Sequence, residues 1–159
     1  MTPFHEHDAD HLRRAIELAH EARERGNAPF GAVLGSENGR ILGEGQNTVN
    51  TDRDVTGHAE TNLLRAAFRS VDAETLAAST LYASAEPCAM CSGAIFWAGV
   101  GRVVYGMDAD RIYEMFPPDE ANPVMRLPCR EVLAAGTRQT LVIGPMLEEE
   151  ATRVFEGLA

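Results

Sequence analysis

The sequence predicts a three-layer α/β/α sandwich around a five-stranded mixed sheet. Three observations carry that prediction. A helical stripe opens the chain, and two apolar runs split by Asn38-Gly39 follow it, which is a hairpin signal. Beyond the hairpin, helical and strand-like periods alternate to the end. At 159 residues with 45% hydrophobic content, the chain suits one core, so residues 1–159 read as a single domain.

The elements follow in order. Leu12, Ile16 and Ala19 place a helix from Asp8 to about Arg25, with Asp8 as its cap and Gly26 as its stop. Pro29 to Leu34 and Ile41 to Gln46 read as the two hairpin strands. Asn47 to Thr56 reads as a polar loop, and helical spacing resumes at Ala59, Leu63, Leu64, Ala67 and Phe68. Thr80 to Ser84 is a strand, Pro87 suits the first position of a helix running to Ala98, and Arg102 to Tyr105 is the next strand. Two short helices are expected around 111–115 and 130–135, with Pro117-Pro118 as a stop between them. A strand from Gln139 to Ile143 precedes a C-terminal helix presenting Leu147, Ala151, Val154, Phe155 and Leu158 on one side.

Composition excludes several chemistries. All fourteen basic residues are arginines, so a Schiff-base lysine and a Walker-type phosphate loop are both absent. The formal net charge of −10 is a poor basis for gripping phosphates. No apolar run is long enough to span a bilayer, and no signal-peptide core precedes Arg14. Three cysteines, two of them in a Cys-x-x-Cys, favour metal or redox chemistry in a reducing cytoplasm over a disulfide framework.

The chemistry concentrates between Gly57 and Cys91. His58, Cys88 and Cys91 offer one nitrogen and two sulfurs, a donor set that suits zinc. Cys88 and Cys91 share one face of a helix start, where free N–H groups favour thiolates. Three protein ligands leave a fourth position open, the pattern of a catalytic zinc site. Two thiolates cancel the zinc charge, so a base is needed beside the metal, and Glu60 is placed for that role. Two other readings stay open: a redox pair, and a structural site that Cys129 closes as a fourth ligand. Cys129 otherwise reads as a buried free thiol. His5, His7, His11 and His20 read as surface residues.

At this point the sequence resembles the cytidine/deoxycytidylate deaminase superfamily, most of all its guanine, cytosine and tRNA adenosine deaminase branch. The resemblance rests on Pro29-Phe30-Gly31-Ala32-Val33, Gly43-Glu44-Gly45-Gln46-Asn47, His58-Ala59-Glu60, Glu86-Pro87-Cys88-Ala89-Met90-Cys91-Ser92-Gly93-Ala94-Ile95 and Arg102-Val103-Val104-Tyr105-Gly106. It implies a cytidine deaminase-like fold and one zinc ion per subunit. It also implies Glu60 as the proton shuttle in a hydrolytic release of ammonia. Carried over residue by residue, Asn47 would hydrogen-bond the base, the Ala59 backbone N–H would help to hold it, and Phe30 would pack on its ring. Trp97 reads as a core or subunit-contact residue, and relatives pair as homodimers. The resemblance fades after Met107. There Glu114, Phe116 and Asp119 are candidates for closing over the pocket and reading the base's edge, and a solvated acidic loop is the other reading of the same stretch.

The leading expectation is a zinc-dependent deaminase of a free nucleobase or similar aminated heterocycle, with guanine, cytosine, substituted cytosines and aminotriazines as candidates. A tRNA adenosine-to-inosine editor is the alternative. Such enzymes carry basic residues after the Cys-x-x-Cys helix and at the C-terminus, where this chain has Phe96-Trp97-Ala98-Gly99 and Glu148-Glu149-Glu150. A non-catalytic, zinc-stabilised binding module is the third reading.

Overall fold

A computed structural model describes residues 4–158, so the extreme ends of the expected 1–159 domain lie outside the described residues. The elements run α1 (Asp8–Glu24), β1 (Gly31–Gly35), β2 (Ile41–Gln46), α2 (Val49–Asp52), α3 (Ala59–Ala67), α4 (Ala73–Ala78) and β3 (Thr80–Ala85). They continue with α5 (Ala89–Ala98), β4 (Arg102–Met107), α6 (Ala109–Met115), α7 (Cys129–Ala134), β5 (Leu141–Ile143) and α8 (Glu148–Thr152), which ends in a 3₁₀ turn, Arg153–Phe155.

The five strands form one mixed sheet in the order β2-β1-β3-β4-β5. β1 is antiparallel to both β2 and β3, whereas β3, β4 and β5 are parallel. Side chains alternate across the sheet. Ala32, Leu34, Leu81 and Ala83 face one apolar layer with Leu63, Leu64 and Ile95 from α3 and α5. Val33, Tyr82 and Val104 face the other, with Leu12 and Ile16 of α1 and Val154 and Phe155 near the C-terminus. The three-layer sandwich is therefore the architecture of this chain.

Close backbone packing seats two of the helices on the sheet. A Cβ at Gly31 would collide with the Ala15 carbonyl of α1, and one at Gly45 would collide with the Ala59 carbonyl at the head of α3. Glycine at position 45 thus lets β2 lie directly against the turn that presents His58 and Glu60.

Several details depart from the sequence expectation. Asp8 is the first residue of α1 and is fully buried, and His7 takes the cap position. The Asp8 carboxylate accepts hydrogen bonds from the His5 N–H, from the Tyr82 hydroxyl at 2.8 Å and from both Arg102 terminal nitrogens at 2.8 and 2.6 Å. A buried ion pair under the sheet replaces the simple cap. His11 is buried, edge-on to Tyr82, because position 11 falls on the apolar stripe of α1. The short helices α2 and α4 fall in stretches with little helical periodicity. Asp72 starts α4 by accepting from the Thr75 N–H at 2.8 Å. Pro87 lies one residue ahead of the α5 cap, Cys88, so it is outside the helix. Leu158 is exposed, since the last helix stops before it. Among the described residues, no helix is long and apolar enough to cross a membrane.

Candidate active site

His58 caps α3 and Cys88 caps α5, each in extended backbone conformation, and both helix starts meet beyond the end of β3. The His58 Nδ1 lies 3.5 Å from the Cys88 Sγ and 3.5 Å from the Cys91 Sγ. All three ligand atoms lie within 4.8 Å of one another. In tetrahedral zinc, with bonds of about 2.3 Å to sulfur and 2.0–2.1 Å to nitrogen, such atoms sit about 3.5 Å apart. The residues therefore fit zinc, and the observed spacing is that of ligands around a shared ion. Cys129 is buried at the start of α7 and is not part of the cluster. Among the described residues the cluster therefore offers three side chains that could hold a metal, and Cys129 is not a fourth.

Electrostatics support thiolate character. A hydrogen bond with Cys91 holds the Cys88 thiol down to about 4 against the opposing effect of burial, and His58 assists. Cys91 is pushed up by its bond with Cys88 and by burial. Metal binding displaces thiol protons. Glu60, in the first turn of α3, is buried, and that burial pushes its carboxyl up.

A cavity of about 580 Å³ opens at the cluster, lined by His58, Glu60 and Cys88 at its floor. Phe30 and Asn47 also line it, so two expected substrate contacts reach the same space as the metal ligands. Phe30 stands edge-on to Phe155, with ring centroids 5.7 Å apart. Asn47 is buried, and its Oδ1 accepts from the Val49 N–H at 3.1 Å. That bond orients the side chain, with its amide NH₂ available as a donor. Ala59 turns its methyl into the core between two lining residues, and its N–H is one of the first in α3, which have no intrahelical partner.

The far wall differs from expectation. Glu114 is exposed and pairs with Arg111, Phe116 packs on Phe155, and Asp119 accepts the N–H groups of Ala121 and Asn122 in its own turn. None of the three lines the cavity. Asp108, Asp110, Ile112 and Tyr113 do so in their place, with Met125, Arg126 and Leu127. The reason is the start of α6: Asp108 caps it by accepting from the Asp110 N–H at 3.0 Å, which turns Ile112 and Tyr113 inward. An aspartate directly after a strand is a cap signal that sequence reading could have used.

Comparison with known proteins adds independent findings. The family model for the cytidine and deoxycytidylate deaminase zinc-binding region matches residues 5–107. A Schizosaccharomyces pombe protein described as a probable cytosine deaminase is 37% identical over 156 residues, covering 98% of this chain and 94% of its own. The guanine deaminase of Bacillus subtilis is 45% identical over 98 residues, 61% of this chain and 62% of that protein. A solved structure from work on A-to-I editing by tRNA:A34 deaminases superposes with a TM-score of 0.72 at 28% identity, covering 92% of this chain and 99% of the other.

Proposed function

Since this chain belongs to the cytidine and deoxycytidylate deaminase family, a family of zinc-binding deaminases, we propose that it hydrolytically deaminates a free nucleobase or similar aminated heterocycle. One observation carries the reading: His58 and Cys88 of the three-ligand cluster line a single cavity with the buried Glu60 carboxyl, Phe30 and Asn47, and Cys91 completes the cluster from beneath. The substrate class is supported by similarity along nearly the whole chain to a protein described as a probable cytosine deaminase.

His58, Cys88 and Cys91 would hold the zinc. When bound, zinc supplies the Lewis acidity that makes water nucleophilic near neutral pH. Glu60 takes one proton from the attacking water and delivers it to the ring nitrogen. A second proton goes to the amine, the carbon–nitrogen bond breaks, ammonia leaves and a carbonyl remains. Asn47 donates to an acceptor on the base, the Ala59 N–H adds a second contact, and Phe30 covers the ring. Asp108 and Asp110, rather than Glu114 and Asp119, supply carboxylates on the far wall.

The chain acts as one domain and as a homodimer in the cytoplasm. α5 supports the pairing, because Met90 and Trp97 on its outer side are exposed, and Gly93 between them has open space before it. An apolar helix with a bare outer side calls for a partner. Trp97 is 79% exposed, so its role as a core residue gives way to subunit contact.

An ammonia-release screen over guanine, cytosine, 5-methylcytosine, adenine, ammeline, guanosine, cytidine and an anticodon stem-loop tests the substrate class. Turnover of a free base is the expected result. Turnover of the stem-loop alone would establish the RNA-editing alternative, and no ammonia from any of them would favour a non-catalytic module.

A further inference from the structure

Glu86 stands immediately before the Pro87-Cys88 turn, and its role is not explained by metal binding. Its backbone N–H donates to the Met107 carbonyl at 2.8 Å, which extends the pairing of β3 with β4 by one step. Its carboxylate then reaches across the cavity wall. Oε2 accepts from the Ala109 N–H at 3.1 Å, and Oε1 accepts from the Cys129 N–H at 3.2 Å. Those two N–H groups begin α6 and α7.

The segment between them is the far wall. It contributes Asp110, Ile112, Tyr113, Met125, Arg126 and Leu127 to the cavity. It holds little regular structure after Met115 and buries little apolar surface of its own. Internally it is joined by the Tyr113 hydroxyl, which donates to the Met125 carbonyl at 3.3 Å, and by the Arg126 guanidinium over the Tyr113 ring. Its two ends are tied to one side chain, and that side chain is two residues from a metal ligand.

We propose that Glu86 is a positioning residue that clamps both ends of the substrate-reading wall to the turn carrying Cys88. The clamp fixes the distance between the wall and the reacting atoms. A carboxylate is needed because both targets are donors, and its two oxygens can serve one each. Glutamine would face one N–H with an oxygen and the other with its own NH₂, donor against donor. Glu148 makes the neighbouring contact, accepting from the Asp108 N–H at 3.1 Å, and it touches only the α6 end. The substrate part of this inference rests on the proposed deaminase reading; the clamp itself does not.

The test is hydrogen exchange on the zinc-loaded native protein and on Glu86→Gln, with zinc measured in both and kinetics on whichever base the native enzyme turns over. Glu86→Gln should retain its zinc, and peptides spanning 109–129 should exchange about tenfold faster, the scale of one lost charge-assisted hydrogen bond. Peptides of β1, β2 and α3 should be unchanged. KM should rise about tenfold with kcat nearly kept, because the wall binds substrate and transition state alike. Glu148→Gln should loosen the α6 end and leave 125–129 protected. Glu86→Asp, which keeps the charge but shortens the arm, should fall between native and Glu86→Gln, and it carries the same measurements if Glu86→Gln fails to fold. Unchanged exchange over 109–129, loss of zinc, or a fall in kcat at constant KM would each overturn the clamp. If the native protein turns over no base, the substrate reading fails alone, because exchange still decides the clamp.

Discussion

The two halves of the cavity are built by different means. The floor, from Phe30 to Met107, rests on four paired strands and the starts of α3 and α5, the first of them seated by the close approach of Gly45 to the Ala59 carbonyl. The far wall, from Asp108 to Pro128, is a short helix and a proline-containing loop held by isolated hydrogen bonds from Glu86, Glu148 and Tyr113. Metal chemistry allows few residue types on the floor, so that half is chemically specified. The wall needs only to present a complementary surface at the right distance, and many sequences can do that. On the proposed reading the reaction type resides in the floor, and the wall adds the contacts that distinguish one base from another.

The largest effect should come from breaking the floor at the metal. Cys91→Ala should lose zinc and fall to background ammonia release, whereas Cys129→Ala, which is not part of the cluster, should keep one zinc per chain. Elemental analysis of the two variants side by side measures this. Loss of zinc from both would restore Cys129 as a ligand.

The next effect lies beneath the floor. Removing one partner of the buried Asp8–Arg102 pair should cost about 3–5 kcal/mol, because it strands a charge. Burial alone would push the Asp8 carboxyl up, but the hydrogen bonds from Arg102, the His5 N–H and Tyr82 outweigh it and hold the carboxyl below its usual range. A depressed carboxyl stabilises the fold fully above the unfolded value, about 3.9, and that stability fades as pH falls toward the folded value. Urea unfolding of native protein and Asp8→Asn from neutral pH downward should show the native protein losing its advantage below about pH 4. Parallel curves throughout would remove Asp8 as the source.

Smaller effects should separate floor from wall. Asn47→Ala should raise KM by roughly 10–100-fold, the cost of about 1.5–3 kcal/mol for a lost polar contact to the base. Asp110→Asn on the wall should shift the ratio of kcat/KM between guanine and cytosine by a smaller factor, with zinc unaffected. Steady-state kinetics on both bases distinguishes the two, and an equal loss on every base from Asp110→Asn would deny the wall its selective role.

The same contrast explains what the sequence revealed. His58, Glu60, Cys88 and Cys91 stood out because a metal and its acid/base partner need particular atoms at particular spacings. The hairpin was legible from Asn38-Gly39, and α1 from its stripe. Wall residues obey no such rule. Glu114, Phe116 and Asp119 looked suitable by type, yet Asp108 sets the phase of α6 and turns Glu114 outward. Asp8 read as an ordinary cap because its partner, Arg102, is 94 residues away in the chain. Glu86 was visible beside the motif, but its two backbone partners are joined to it only by the fold.

In the proposed reaction Glu60 moves the protons, beside a metal held by His58, Cys88 and Cys91. Glu60→Gln, with zinc quantified and ammonia release followed on the preferred base, tests it most directly. One zinc per chain, as in the native protein, and a fall in kcat of about 10²–10⁴-fold are expected. Native-like turnover by zinc-loaded Glu60→Gln would contradict it.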